Sequence, residues 1–209
     1  MIISDIINIA KLSELSGTAS KDNDAAIVSY INMGMLELYT RFQLKTEEYV
    51  INLVDNQTFY EMPANFMIAT EAFGETEANK YDDVKRIPIN NSECPNDSVF
   101  FVDWNTVQIP GSQTGAAISI IYVAKPEPIT LAQATDGTTE LELPDTLVDA
   151  LLSYLGYRAH LGIRGEAQSE NDAHWARFQR NCDIAIDRGV VMLPDTLAMT
   201  TRVRDRGFV

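Results

Sequence analysis

Cysteine and histidine are scarce in this 209-residue chain, with two of each. Cys94 stands beside Pro95 in a loop-like stretch and Cys182 falls at an apolar helical position, so neither a disulfide framework nor a metal-ligand spacing is present. His160 and His174 leave few groups for proton shuttling or metal binding, and a core-edge role is expected of each. Asp149 lies eleven residues before His160, roughly 16 Å along a helix, too far for a dyad. His174 and Cys182 are separated by about 12 Å on the same argument and cannot share a metal unaided. Glycine-rich phosphate loops and a nucleophile elbow of the G-x-S-x-G kind are both missing. No apolar run approaches the roughly 18 residues of a membrane span, and MIISDIINIA has no basic leader. The expectation is synthesis in a cytoplasm, with no export signal, no membrane, no cofactor and no small-molecule substrate.

Basic residues are also few. Sixteen Lys and Arg face thirty Asp and Glu, a formal net charge of −14. Wrapping nucleic acid requires clustered cations that displace counterions, so this balance argues against that function. An acidic wall that repels phosphate still suits a conduit past which DNA slides without sticking, although acidity also serves solubility.

What is present is a helical pattern at each end and a strand pattern between. Ser4 is placed to cap a helix carrying Ile6, Ile7, Ala10 and Leu12, closed by Gly17. Asp24 is placed to cap a longer one, on which Ile27, Ile31, Met35, Leu38 and Phe42 form a continuous stripe with Gly34 inside it. From Thr46 the period becomes two, with Tyr49, Ile51 and Leu53 on one face and a turn at 55–57 before Phe59-Tyr60, a hairpin pattern. The pattern weakens over 64–97, where a short strand is expected at Val84 to Ile89. A second hairpin is expected around Asp103-Trp104-Asn105, and Ile118 to Ala124 carries apolar residues on both faces, implying a doubly covered strand. Beyond Pro144, Leu147, Leu151 and Leu155 head a broad apolar helix, and Trp175, Phe178, Cys182 and Ile186 mark another, begun near Ser169, that forms an antiparallel pair with it. The expected architecture is α+β: a helical bundle from 1–45 and 141–190, a central antiparallel β-domain at 46–140 built as a small sandwich or barrel, and an extended tail at 191–209.

Surface candidates are few. Carboxylate pairs such as Glu140 with Glu142 arise by chance among thirty acids. Read with Trp104, they leave open a carbohydrate-binding or hydrolytic virion component as the alternative function. Trp104, at a hairpin tip, is the candidate contact for a partner, and Trp175 is expected in the core. The tail TRVRDRGFV sets Arg202, Arg204 and Arg206 on alternate positions, with Phe208 beyond.

Two stretches, YINMGMLELYTRF and LELPDTLVDALLSYLGYRAHL, resemble the head-to-tail adaptors of short-tailed bacteriophages, the tail tubular protein A-like family. Tyr30-Ile31-Asn32, Leu38-Tyr39, Arg41-Phe42, Met62-Pro63, Leu143-Pro144, Asp149-Ala150-Leu151 and Tyr157 to His160 occur in the order of that family's pattern, over about four-fifths of the chain. The resemblance implies a structural virion protein without catalytic residues. It would form a ring, commonly of twelve copies, beneath the portal protein, with a tail nozzle or tube protein below and DNA leaving through the channel without sequence-specific binding. On that reading Arg202, Arg204, Arg206 and Phe208 are candidates for portal binding, Trp104 for a tail or neighbour contact, and Glu71, Glu75, Glu77, Asp82 and Asp83 for facing the channel.

Overall fold

The structure, a computed structural model, describes residues 1–75, 85–87, 89–90, 99–109, 117–161 and 167–191. It resolves into two compact units, one from Met1–Leu44 and Pro126–Val209, the other from Lys45–Lys125.

The first unit is helical. Helix α1 (Ile3–Leu12) starts after Ile2, whose side chain makes no cap, rather than at Ser4. Backbone pairing fixes its start instead: Ile3 N–H donates to Thr139 O at 3.0 Å and Leu141 N–H to Met1 O at 2.9 Å. Its buried face is Ile3, Ile6, Ile7 and Ala10, while Leu12, expected on that face, is 80% exposed. Helix α2 (Asp24–Phe42) is capped one residue earlier than expected, because the Asn23 side chain accepts from Ala26 N–H at 3.1 Å. It buries Ile27, Ile31, Met35, Leu38 and Phe42 and ends at Gln43, left-handed at φ 50. Gly34 is buried too, with the Leu151 and Tyr154 side chains packed where a Cβ would stand.

Residues Pro126 to Glu140, placed with the strands by the sequence, lie in the helical unit. The Asn32 side chain both donates to Ile129 O at 2.9 Å and accepts from Ile129 N–H at 2.8 Å. The short helix α3 (Leu131–Thr135), with a Thr130/Gln133 capping box, then buries Ala134 in the helical core. After Pro144 a 3-10 turn at Asp145–Leu147 leads into α4 (Val148–His160), which is apolar on most sides because α2 and α5 (Ala167–Asp187) both pack on it. Helix α5 starts ahead of the expected Ser169. The pairing is antiparallel: Asn181 Nδ2 donates to Asp149 O at 3.1 Å, Tyr154 meets Phe178, Tyr157 meets Trp175, and His160 meets His174.

The second unit is a two-layer sandwich of short strands: β1 (Thr46–Asn52), β2 (Phe59–Glu61), β3 (Phe66–Glu75), β4 (Lys85–Ile87), β5 (Ile89–Asn90), β6 (Val99–Phe101), β7 (Thr106–Gln108) and β8 (Ala117–Ala124). One sheet runs β1-β8-β3-β4 and the other β2-β7-β6-β5. Strands β1 and β2 are therefore not partners, contrary to the hairpin expected of them; the turn between them carries the chain from one sheet to the other. All pairings are antiparallel except β5 with β6. Strand β8 is central and turns Ile118, Ile120, Tyr122 and Ala124 into the core, with Ser119 and Val123 buried on its other face. Residues Tyr60, Val99 and Val107 supply the facing layer, and Phe66 stacks on Phe101 at 5.4 Å between ring centres.

Candidate functional site

A catalytic or metal centre is tested first by the buried polar groups. In the helical unit Glu14 Oε2 lies 2.9 Å from His174 Nδ1 and 2.7 Å from Arg177 Nη2, and the second Glu14 oxygen is 3.3 Å from Arg177 Nη1. His160 stacks on His174 at 4.9 Å. Both histidines are buried, and the His174 ring lies so close to Gly156 that a methyl group there would sit 2.3 Å from Nδ1. Glu14 and Arg177 thus tie the segment after α1 to α5. Spacing along one helix could not reveal this cluster, since its members come from three segments. Among the described residues no three His, Cys, Asp or Glu are placed to hold one metal ion. Cys182 is fully buried, and burial pushes its thiol up to about 11, so it is a packing group and not a nucleophile.

In the β-unit, Glu47 Oε2 accepts from Asn65 Nδ2 at 2.8 Å and from the Tyr122 hydroxyl at 2.9 Å. Asn65 Oδ1 is 3.0 Å from that hydroxyl. Hydrogen bonds from Asn65 and Tyr122 hold the Glu47 carboxyl below its ordinary range. Burial, then the Glu47 carboxylate, pushes Tyr122 up to about 12. The network fastens β1 and the segment before β3 to β8.

With the polar clusters occupied in structure, the surface carries the remaining candidates. Trp104 stands at the β6–β7 tip, 68% exposed, with the Lys125 ammonium 6.0 Å from its ring centre. The tip is shaped by Asp103, whose carboxylate accepts from Asn105 N–H at 3.0 Å and Thr106 N–H at 2.8 Å. Those bonds, the Asn105 one first, keep Asp103 below the usual carboxylate range. Trp175 packs on Tyr157 and Phe178 but keeps 37% exposure, so it is a core-edge residue rather than a core one. Glu71 lies on β3 opposite Ile121, and Glu75 ends that strand opposite Ala117. Glu77, Asp82, Asp83, Arg202, Arg204, Arg206 and Phe208 lie outside the described residues. Trp104 is thus an exposed aromatic side chain at a hairpin tip, beside a lysine.

The model of the SU10 adaptor protein family matches residues 1–198, nearly the whole chain. The chain belongs to that family. It is a structural adaptor of the phage head–tail junction, and the virion is where it resides. An adaptor at that junction has portal-side and tail-side partners and assembles with further copies. A solved structure similar to the chain is the neck of an empty GTA particle, computed with C6 symmetry. It shares 14% identity over 83% of this chain and 88% of that one, with a TM-score of 0.31. No curated protein matches the adaptor. Among its described residues no helix is long and apolar enough to cross a membrane.

Proposed function

We propose that the adaptor forms a ring, of twelve copies as in the tail tubular protein A-like family it resembles, that joins the portal protein to a tail nozzle or tube protein and encloses part of the DNA exit channel. The match of the family model to residues 1–198 carries this reading. In it the helical unit forms the ring's packed shell, while the β-unit, through Trp104, meets a neighbour or the tail. Residues beyond Val190 reach the portal, with Arg202, Arg204, Arg206 and Phe208 as the gripping side chains. Alternate arginines suit acidic grooves, and an extended arm covers a large partner surface at the cost of ordering it. Of the acidic candidates, Glu77, Asp82 and Asp83 face the channel, where a chain of net charge −14 repels the DNA backbone and lets it pass. The adaptor transforms no small molecule.

Deleting residues 201–209 tests the attachment. The truncated chain should keep its circular-dichroism spectrum and melting temperature yet co-sediment poorly with purified portal rings. Undiminished co-sedimentation would show that the tail does not hold the portal.

A further inference from the structure

A two-layer sandwich uses the inner face of each sheet and leaves two outer faces. On the second sheet alternation sends Tyr60, Val107 and Phe101 inward, so Phe59, Gln108 and Phe100 form one outward cross-strand row. Phe59 is 52% exposed, and Val102 and Trp104 extend the apolar surface at 49% and 68%. On the first sheet, Val50 pairs with Ser119 and Ile68 with Val123, and their outward side chains are 42% and 49% exposed. That second face also carries Glu48 and Glu71 on either side of Ile121.

Charge decides what covers these faces. Copies of a chain with net charge −14 repel one another, and contact between them requires that the acids of one surface meet a surface poor in acids and bearing a cation. Among the described residues of β2, β6 and β7 one carboxylate, Glu61, faces out. The cation beside Trp104, Lys125, is complementary to the Glu48 and Glu71 pair of the other face. The two surfaces differ and lie on opposite sides of the sandwich, so a contact between them is head-to-tail and propagates from copy to copy, as a ring needs. Exposed apolar patches of a few hundred Å² supply the dry centre of a standard interface of about 800 Å² per partner, with polar residues as its rim.

We infer that the outer face of the β2-β7-β6 sheet, centred on Phe59 and Trp104, docks on the outer face of the β1-β8-β3 sheet, centred on Val50 and Ile68, of the next copy. The inference rests on the ring reading and names the surfaces that build it. Two full-length variants, Phe59→Asp and Ile68→Asp, each spoil one face, and Phe59→Thr and Ile68→Thr repeat the test with less risk to folding; retained melting temperature confirms the fold of each. Incubated with portal rings, the wild-type chain should give adaptor rings visible by electron microscopy, and each Asp variant should give none. Each Thr variant should weaken copy-to-copy association about tenfold. Mixed together, the two Asp variants should form a pair by native mass spectrometry and nothing larger, because each supplies the face the other lacks. Rings from both Asp variants would overturn the inference while leaving the ring reading intact. A wild-type chain that forms no ring on portals would overturn both. Loss of rings without pairing in the mixture would show that the faces meet something other than each other and would also overturn it.

Discussion

Gly156 gives the sharpest test of the packing described for the helical unit. An alanine methyl at 156 would lie 2.3 Å from His174 Nδ1, 2.6 Å from Cε1 and 2.9 Å from Cγ, distances no real contact tolerates. Replacing glycine by alanine inside a helix gains about 1 kcal/mol of propensity. Against that, overpacking costs about 1–3 kcal/mol. The His174 ring has no easy retreat, since it is stacked on His160 and held at 2.9 Å from Glu14. Moving it forfeits a hydrogen bond involving a charged group, about 1.5–3 kcal/mol. The net expectation for Gly156→Ala is a loss of about 1.5–5 kcal/mol, or a melting temperature lower by about 3–20 °C for a protein of this size. The decisive comparison is a double-mutant cycle with His174→Ala, read by thermal or urea unfolding. With the imidazole gone the methyl has space, so Gly156→Ala in that background should be neutral or stabilising by up to about 1 kcal/mol. Equal losses in both backgrounds would refute the argument that the imidazole, and not the helix backbone, forbids a side chain at 156.

Alkaline unfolding should report Tyr122. Its phenol is raised to about 12 in the folded protein against about 10 unfolded. The unfolded chain therefore loses this proton first, and the group's stabilisation, full below pH 10, drains away as pH rises to 12, by roughly 2–3 kcal/mol. Tyr122→Phe should flatten that part of the stability–pH curve, and an unchanged slope would sink the assignment. Phe66→Ala removes the ring that stacks on Phe101 and meets Tyr122 and should destabilise the β-unit by about 3–5 kcal/mol in urea melts, whereas Leu12→Ala, at 80% exposure, should change stability by no more than about 0.5 kcal/mol. Cys182, fully buried with its thiol at about 11, should resist a thiol reagent at pH 8 until urea unfolds the chain; peptide mapping after labelling would reveal fast native reaction if the packing is wrong.

The parts of the fold that were legible in the sequence are those where one element's periodicity carries the information. The α2 stripe from Ile27 to Phe42 and the doubly buried β8 are of this kind. Strand β3 was hidden because its register shifts between Phe66 and Ile68 and again between Ala69 and Glu71, which breaks the alternation that marks a strand. The β1–β2 turn read as a hairpin because a polar turn between two strands looks the same whether the chain doubles back or crosses to another sheet. Helix starts shifted because Ile2 is fixed by backbone pairing with 139–141, and Asn23 outranked Asp24 as the cap. Of the surface candidates, Trp104 was visible as an aromatic at a turn. The row of Phe59 and Phe100 was not, since facing outward depends on which strands pair.

The most direct test of the adaptor's role is electron microscopy of portal rings incubated with the full-length chain and then with the tail protein. The account predicts a second ring seated on the portal, with density for both units of every copy and the tail protein bound beneath it. Bare portals, or tail protein attached to portals without this chain, would contradict it.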